Sequence, residues 1–150
     1  MCLSKGTGSN STMALDKLFV YGTLLSELGH PMSHRLKKEA VCIGKGYLWG
    51  HLYDLGEYPG LIPGEEGQSR VYGEVYQLQD PERSLRWLDA YEGIGEGELE
   101  PWEYERMVLK VFLRDAGVWE DCWVYLYVLS PEQLPLIEQG DYLAFKKLLD

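Results

Sequence analysis

The apolar stretches of this chain are strand-length, and most are closed by glycine or a turn dipeptide, so a sheet must dominate the fold. Lys17-Leu-Phe-Val-Tyr-Gly22 is a β-branched and aromatic run ended by glycine, the pattern of a buried strand entering a loop. Ala40–Leu55 predicts further strand in which Gly44, Gly46 and Gly50 imply bends or bulges, and Arg70–Leu78 alternates well. Between them, Tyr58-Pro-Gly60 and Pro63-Gly64 mark turns. Tyr104–Arg114 and Val118–Leu129 flank Asp115-Ala-Gly117, which predicts an antiparallel hairpin. Shorter helical segments are expected over Met32–Glu39, after Pro131 and near Tyr142–Leu149. Strands outnumber helices, so the expected class is α+β: a small mixed β-barrel with short flanking helices.

A length of 150 residues with 45% hydrophobic content suits one domain, placed at residues 13–150. Residues 1–12, rich in Gly, Ser and Thr, are expected to be a tail or an expression remnant. No apolar stretch approaches the roughly 18 residues of a membrane span. A net charge of −10 repels phosphate backbones, which argues against a nucleic-acid partner. Cys2, Cys42 and Cys122 have no metal-like spacing, and with no export signal a cytoplasmic location is expected. Cys42 and Cys122, in apolar strands, are expected to be core residues rather than nucleophiles.

The best-punctuated helix starts at the Asp80 N-cap and Pro81 and stops at Gly93. At about 100° per residue, Leu85, Glu92, Leu88, Tyr91 and Trp87 share an arc of roughly 160°. Glu92 therefore falls on the apolar face, near the negative end of the helix dipole. Dehydration and the dipole both raise a carboxyl pKa toward neutrality, where one group can take a proton and return it. The plainer alternative is a frayed last turn that carries Glu92 into solvent. A second candidate is Tyr21-Gly-Thr-Leu24. Glycine after a buried strand allows a sharp turn in which the amides of Gly22, Thr23 and Leu24 form an anion-binding nest, or else the segment is an ordinary strand exit.

Six motifs occur in order: Phe19-Val-Tyr-Gly-Thr-Leu24, Gly50-His-Leu-Tyr-Asp-Leu-Gly56, Tyr58-Pro-Gly-Leu61, Val71-Tyr-Gly-Glu-Val-Tyr76, Leu88-Asp-Ala-Tyr-Glu-Gly93 and Tyr104-Glu-Arg106. The series strongly resembles the γ-glutamylcyclotransferase superfamily, especially its γ-glutamylamine cyclotransferase branch. The resemblance implies a small β-barrel whose Tyr-Gly-Thr-Leu loop and motif glutamate face one cavity. It implies that the loop cradles a glutamyl group while Glu92 moves protons, giving 5-oxoproline and a free amine. The implied binding residues are Tyr21, Gly22, Thr23 and Leu24, with Tyr104, Arg106 and Tyr125 as further candidates and no metal or cofactor. Arg106 either anchors a substrate carboxylate or pairs with a nearby acid. Tyr125 and Tyr127 either line the cavity or fill the barrel. The expected partner is a small γ-glutamyl molecule; a homodimer of the chain is left open.

Serine-elbow, phosphate-loop and dinucleotide fingerprints are absent from the sequence. His30 and His34 would stand one turn apart on a helix, although Pro31 between them weakens that case. The acidic insertion from Ile94 to Trp102 is either a lid selecting a cationic leaving amine or solvated surface. The competing functional classes are a non-catalytic small-molecule binding or sensing protein on the same scaffold and an interaction domain.

Overall fold

The structure, a computed structural model, describes residues 15–149, so the expected tail over residues 1–12 lies outside the described residues. In chain order the elements are β1 (Lys17–Val20), α1 (Pro31–Glu39), β2 (Ala40–Asp54), β3 (Pro59–Pro63), β4 (Arg70–Leu78), α2 (Pro81–Tyr91), β5 (Tyr104–Leu113), β6 (Val118–Tyr127), β7 (Leu136–Ile137) and α3 (Tyr142–Leu149). Five strands close a barrel. β2 pairs with β4, β4 with β1, β1 with β6 and β6 with β5, and β5 returns to β2 through Gly46↔Leu113 and Tyr47↔Phe112. Of these pairings β1–β6 alone is parallel, at Leu18↔Trp123, so the expected mixed barrel with short flanking helices is the fold, with three α-helices among the described residues.

The glycines of β2 make this closure possible. A Cβ at Gly46 would lie 2.6 Å from the Phe112 carbonyl oxygen, so β5 can approach only where the side chain is missing. A bulge between Cys42 and Gly44 bends the start of the strand. The far half of β2 leaves the barrel to pair with β3 and β7. Leu18, Leu48, Val75, Val111 and Val124 are all buried in the core. Each such aliphatic side chain contributes roughly 1.5–3 kcal/mol when fully buried.

Helix α2 is built as its sequence dictates. The Asp80 carboxylate accepts from Arg83 N–H, and Pro81 occupies the first turn. At the other end Glu92 is the C-cap rather than a helical residue, and Gly93 takes φ +77°. Ile94 N–H then bonds to the Asp89 carbonyl (2.8 Å) and Gly93 N–H to that of Ala90 (3.1 Å), a Schellman closure that fixes the last turn instead of letting it fray. Leu85 and Leu88 are buried as the helical arc requires.

Four expectations need correction. No helix follows Pro131; the segment turns and forms β7 on the extended part of β2. Pro59-Gly-Leu-Ile-Pro63 is a strand as well as a pair of turn signals, because prolines are tolerated at the two ends of a short strand. The helix predicted from Met32 starts at Pro31, where proline favours initiation, and His30 is its N-cap, its Nδ1 accepting from Met32 N–H. Cys42 is exposed beside the bulge, whereas Cys122 is buried. Among the described residues no helix is long and apolar enough to cross a membrane.

Glu39 joins α1 to α2, accepting from Ser84 Oγ (2.7 Å), Trp87 Nε1 (2.8 Å) and Arg35 Nε (3.4 Å). Burial opposes its charge, but these donors outweigh it and hold the carboxyl below the usual range. A lowered folded-state pKa stabilises the fold above the unfolded-state value, and that contribution disappears as pH falls through the folded value. Glu39→Gln should cost about 1 kcal/mol at neutral pH. Thermal unfolding should then show a Tm lower by roughly 2–6 °C, with the gap from wild type narrowing in acid.

Candidate active site

A cavity of about 340 Å³ opens where the exit of β1, the C-terminal end of α2, the start of β3 and the β5–β6 hairpin meet. Tyr21, Gly22, Thr23 and Leu24 form one side, and Glu92 and Gly93 reach it from α2. Tyr58 and Pro59 line it at the start of β3, while Glu103, Tyr104 and Tyr125 complete the wall. The structure thus brings together every predicted site residue except Arg106. Both halves of the sequence argument, the α2 acid and the loop after β1, share one hollow.

Burial pushes the Glu92 carboxyl up to about 7, and the charge of Asp89 one turn earlier adds to the shift. Asp89 was not singled out from the sequence, although its place three residues before Glu92 was a visible signal. Its carboxylate accepts from Arg106 Nε (2.7 Å) and from a second guanidinium nitrogen (3.1 Å), and Tyr125 OH donates to it at 2.7 Å. The Arg106 guanidinium also stacks 4.3 Å above the Trp123 ring. Arg106 therefore pairs with an aspartate of α2 outside the cavity lining, and β5 and β6 hold the turn that carries Glu92.

Gly22 serves close approach. A Cβ there would fall 2.7 Å from Pro59 Cγ and 2.9 Å from Cδ, so absence of a side chain lets the loop lie against β3. Leu25 N–H closes a turn onto the Gly22 carbonyl (3.0 Å), and the amides of Gly22, Thr23 and Leu24 have no acceptor among the described residues. Gly22, Thr23 and Leu24 all line the cavity, so an anion seated there meets residues whose N–H groups are unspent among the described residues. Two anchors hold the loop: Tyr21 OH donates to the Tyr125 carbonyl (2.6 Å), and the buried Glu74 accepts from Ser26 N–H (3.0 Å) and Ser26 Oγ (2.8 Å). Glu74 was visible in the sequence only as part of a motif, since alternation alone does not foretell a buried carboxylate. Thr23 Oγ1 also meets Tyr91 OH at 2.7 Å.

Residues 96–101 of the acidic insertion are exposed, and only the flanking Gly93 and Glu103 line the cavity. Tyr127 is buried beside Tyr104 with ring centroids 6.0 Å apart, the core-packing alternative.

Fold and site together define a small α+β barrel in which the Glu92 carboxyl and the loop after β1 line a single hollow. The family model described as "Gamma-glutamyl cyclotransferase, AIG2-like" matches residues 18–144. The chain belongs to this family. It is 34% identical over 128 residues to the γ-glutamylcyclotransferase family protein ytfP of Citrobacter rodentium, covering 85% of this chain and 95% of that one. Among solved structures, ytfP of Escherichia coli superposes with a TM-score of 0.61 at 30% identity, covering 87% of this chain and 98% of that one. An AIG2-like protein of Mus musculus gives 0.64 at 29% identity, covering 82% and 86%.

Gly22→Ala forces the loop away from the rigid Pro59 ring, so ligand binding at the cavity should fall at least tenfold. The circular-dichroism spectrum should stay that of the wild type; an unchanged affinity would show that the close approach is dispensable.

Proposed function

We propose that this chain is a cofactor-independent cyclotransferase that converts a γ-glutamyl amide into 5-oxoproline and a free amine, with Glu92 as the general base and acid. The observation that carries this reading is that the part-buried Glu92, its carboxyl raised to about 7, lines one cavity with Gly22, Thr23 and Leu24, whose amides have no acceptor among the described residues. The family name and the relatives' names point to the same reaction.

The chemistry suits a site without a protein nucleophile, because the attacking α-amine and the side-chain carbonyl belong to one molecule. Holding them together is worth several kcal/mol, roughly 7–11 in the best intramolecular cases. Ionised Glu92 takes one proton from the α-ammonium, and the freed nitrogen lone pair attacks the side-chain carbonyl carbon. Loop amides stabilise the negative oxygen that forms. Glu92 then returns the proton to the leaving nitrogen as the carbon–nitrogen bond of the amide breaks. The second proton of the original ammonium, lost as the lactam forms, follows the same route. Two protons thus move from the attacking to the departing nitrogen, the amine leaves as its ammonium ion, and Glu92 ends ionised.

A sensor reading uses the same cavity without turnover; the near-neutral Glu92 favours the catalyst, since mere binding has no need of a proton carrier. Action in the cytoplasm is part of the proposal, supported by the unpaired thiols of Cys42 and Cys122.

Glu92→Gln should abolish release of 5-oxoproline from a panel of γ-glutamyl amides while leaving the protein folded, with a Tm at neutral pH no lower than that of the wild type. For the wild type, kcat/KM should fall about tenfold per pH unit below about 7 and level off above it, because the base works only when ionised. Undiminished turnover by the glutamine variant would overturn the assignment.

A further inference from the structure

Five tyrosines line the cavity: Tyr91 shares a hydroxyl hydrogen bond with Thr23 Oγ1 on the loop side (2.7 Å), and for the other four the partner fixes where the proton goes. Tyr21 donates to the Tyr125 carbonyl at 2.6 Å. Tyr104 donates to the Pro59 carbonyl, Tyr125 to Asp89 Oδ1 and Tyr58 to Glu103 Oε1, each at 2.7 Å. Carbonyl and carboxylate oxygens only accept, so every one of these phenols has committed its single proton to the protein. What it can still offer a ligand is a lone pair.

The four are not equally free. Leu61 N–H and Arg106 act as positive groups near the Tyr21 and Tyr125 oxygens, and Tyr58 is exposed to solvent. Tyr104 has no second partner among the described residues, and it is buried apart from the cavity it lines. Burial and the nearby Tyr21 and Glu92, with Tyr58 and Glu103 beyond them, push its hydroxyl far above the usual phenol range, so it stays a neutral acceptor. Among the described residues lining the cavity there is no Lys or Arg, while Glu92 and Glu103 both line it.

The cavity is therefore divided: the loop side carries the amides and the Thr23–Tyr91 hydroxyl pair, and the wall of Tyr58, Glu103, Tyr104 and Tyr125 offers acceptors only. From this division we infer that Tyr104, backed by Glu103, seats the charged α-ammonium group of the substrate, while the loop of Gly22, Thr23 and Leu24 takes its α-carboxylate with the amides that the developing oxyanion does not use. This rests on the cyclotransferase reading and deepens it by assigning the two ends of the glutamyl group to two walls. It makes Tyr104 a specificity-determining residue: a ligand without the ammonium loses its contacts there and leaves acceptors dehydrated without a donor. It also delivers the reacting nitrogen to the wall that carries Glu92.

The test uses the Glu92→Gln protein, so that binding is read without turnover, and two probes titrated by calorimetry: γ-glutamyl-methylamide and its des-amino analogue, glutarate mono-methylamide. The parent should prefer the ammonium-bearing probe. Adding Tyr104→Phe should cut that preference roughly tenfold, the loss expected for a hydrogen bond to a charged group. Adding Glu103→Gln, which leaves the Pro59 carbonyl bond of Tyr104 in place, should cut it severalfold. Equal losses for both probes would assign Tyr104 a merely structural role and overturn the inference, as would a preference untouched by either variant. Wild-type turnover to 5-oxoproline is measured alongside. If no product forms, the catalytic reading fails while the ammonium preference is still decided by binding; if product forms and the preference does not move, only this inference fails.

Discussion

The bidentate ion pair between Arg106 and Asp89 is the interaction on which the cavity depends. Glu92 lies just past the end of α2, so its position is set by whatever registers that helix on the barrel. The Schellman closure fixes the last turn relative to the helix, and Asp89, three residues before Glu92, fixes it relative to β5 and β6 through Arg106 and Tyr125. Tyr125 in turn accepts, through its main-chain oxygen, the hydroxyl of Tyr21, the residue from which the amide loop springs. One chain of contacts thus spans helix, hairpin and loop. Arg106 is suited to it because its planar fork matches a carboxylate at two points and its flat face packs on Trp123; a lysine offers neither.

The same pair shapes the electrostatics. Asp89 alone would be a second negative charge beside Glu92, and a like charge so near raises a carboxyl pKa. With Asp89 tied to a guanidinium, part of that field is cancelled, and burial is left as the larger cause of the rise toward 7. A free aspartate would push the acid further up and leave less of it ionised at neutral pH.

Much of this was legible in the chain. Gly44, Gly46 and Gly50 foretold the bent β2, the Asp80-Pro81 and Gly93 punctuation foretold α2, and Leu85, Leu88 and Glu92 shared a face because side-chain direction in a helix follows from spacing alone. The losses have a common cause. Pro59–Pro63 became a strand because β2 offers it an edge, and the segment after Pro131 gave up helix for the same reason; pairing with a distant strand overrides local turn chemistry. Arg106 illustrates the same limit at the site. Alternation on β5 put it on the face of Tyr104, but whether it met substrate or Asp89 depended on how α2 docks, and no local pattern encodes docking.

If Glu92 is the base we propose, the choice of main-chain amides to receive an anion follows from its needs. A lysine or arginine in the hollow would hold a carboxylate more strongly, but an opposite charge within about 4–6 Å lowers a carboxyl pKa by 1–3 units. Glu92 would fall back toward the ordinary range and lose its ability to return a proton to a departing nitrogen near neutrality. Amides carry only partial charge and hold an anion by direction rather than by net field. Among the described residues the nearby cation that could spoil this, Arg106, is turned onto Asp89 and Trp123 instead of the cavity. On the proposed reaction one constraint runs through the site: among the described lining residues positive charge is kept out of the hollow, which leaves the proposed base able to work in both directions.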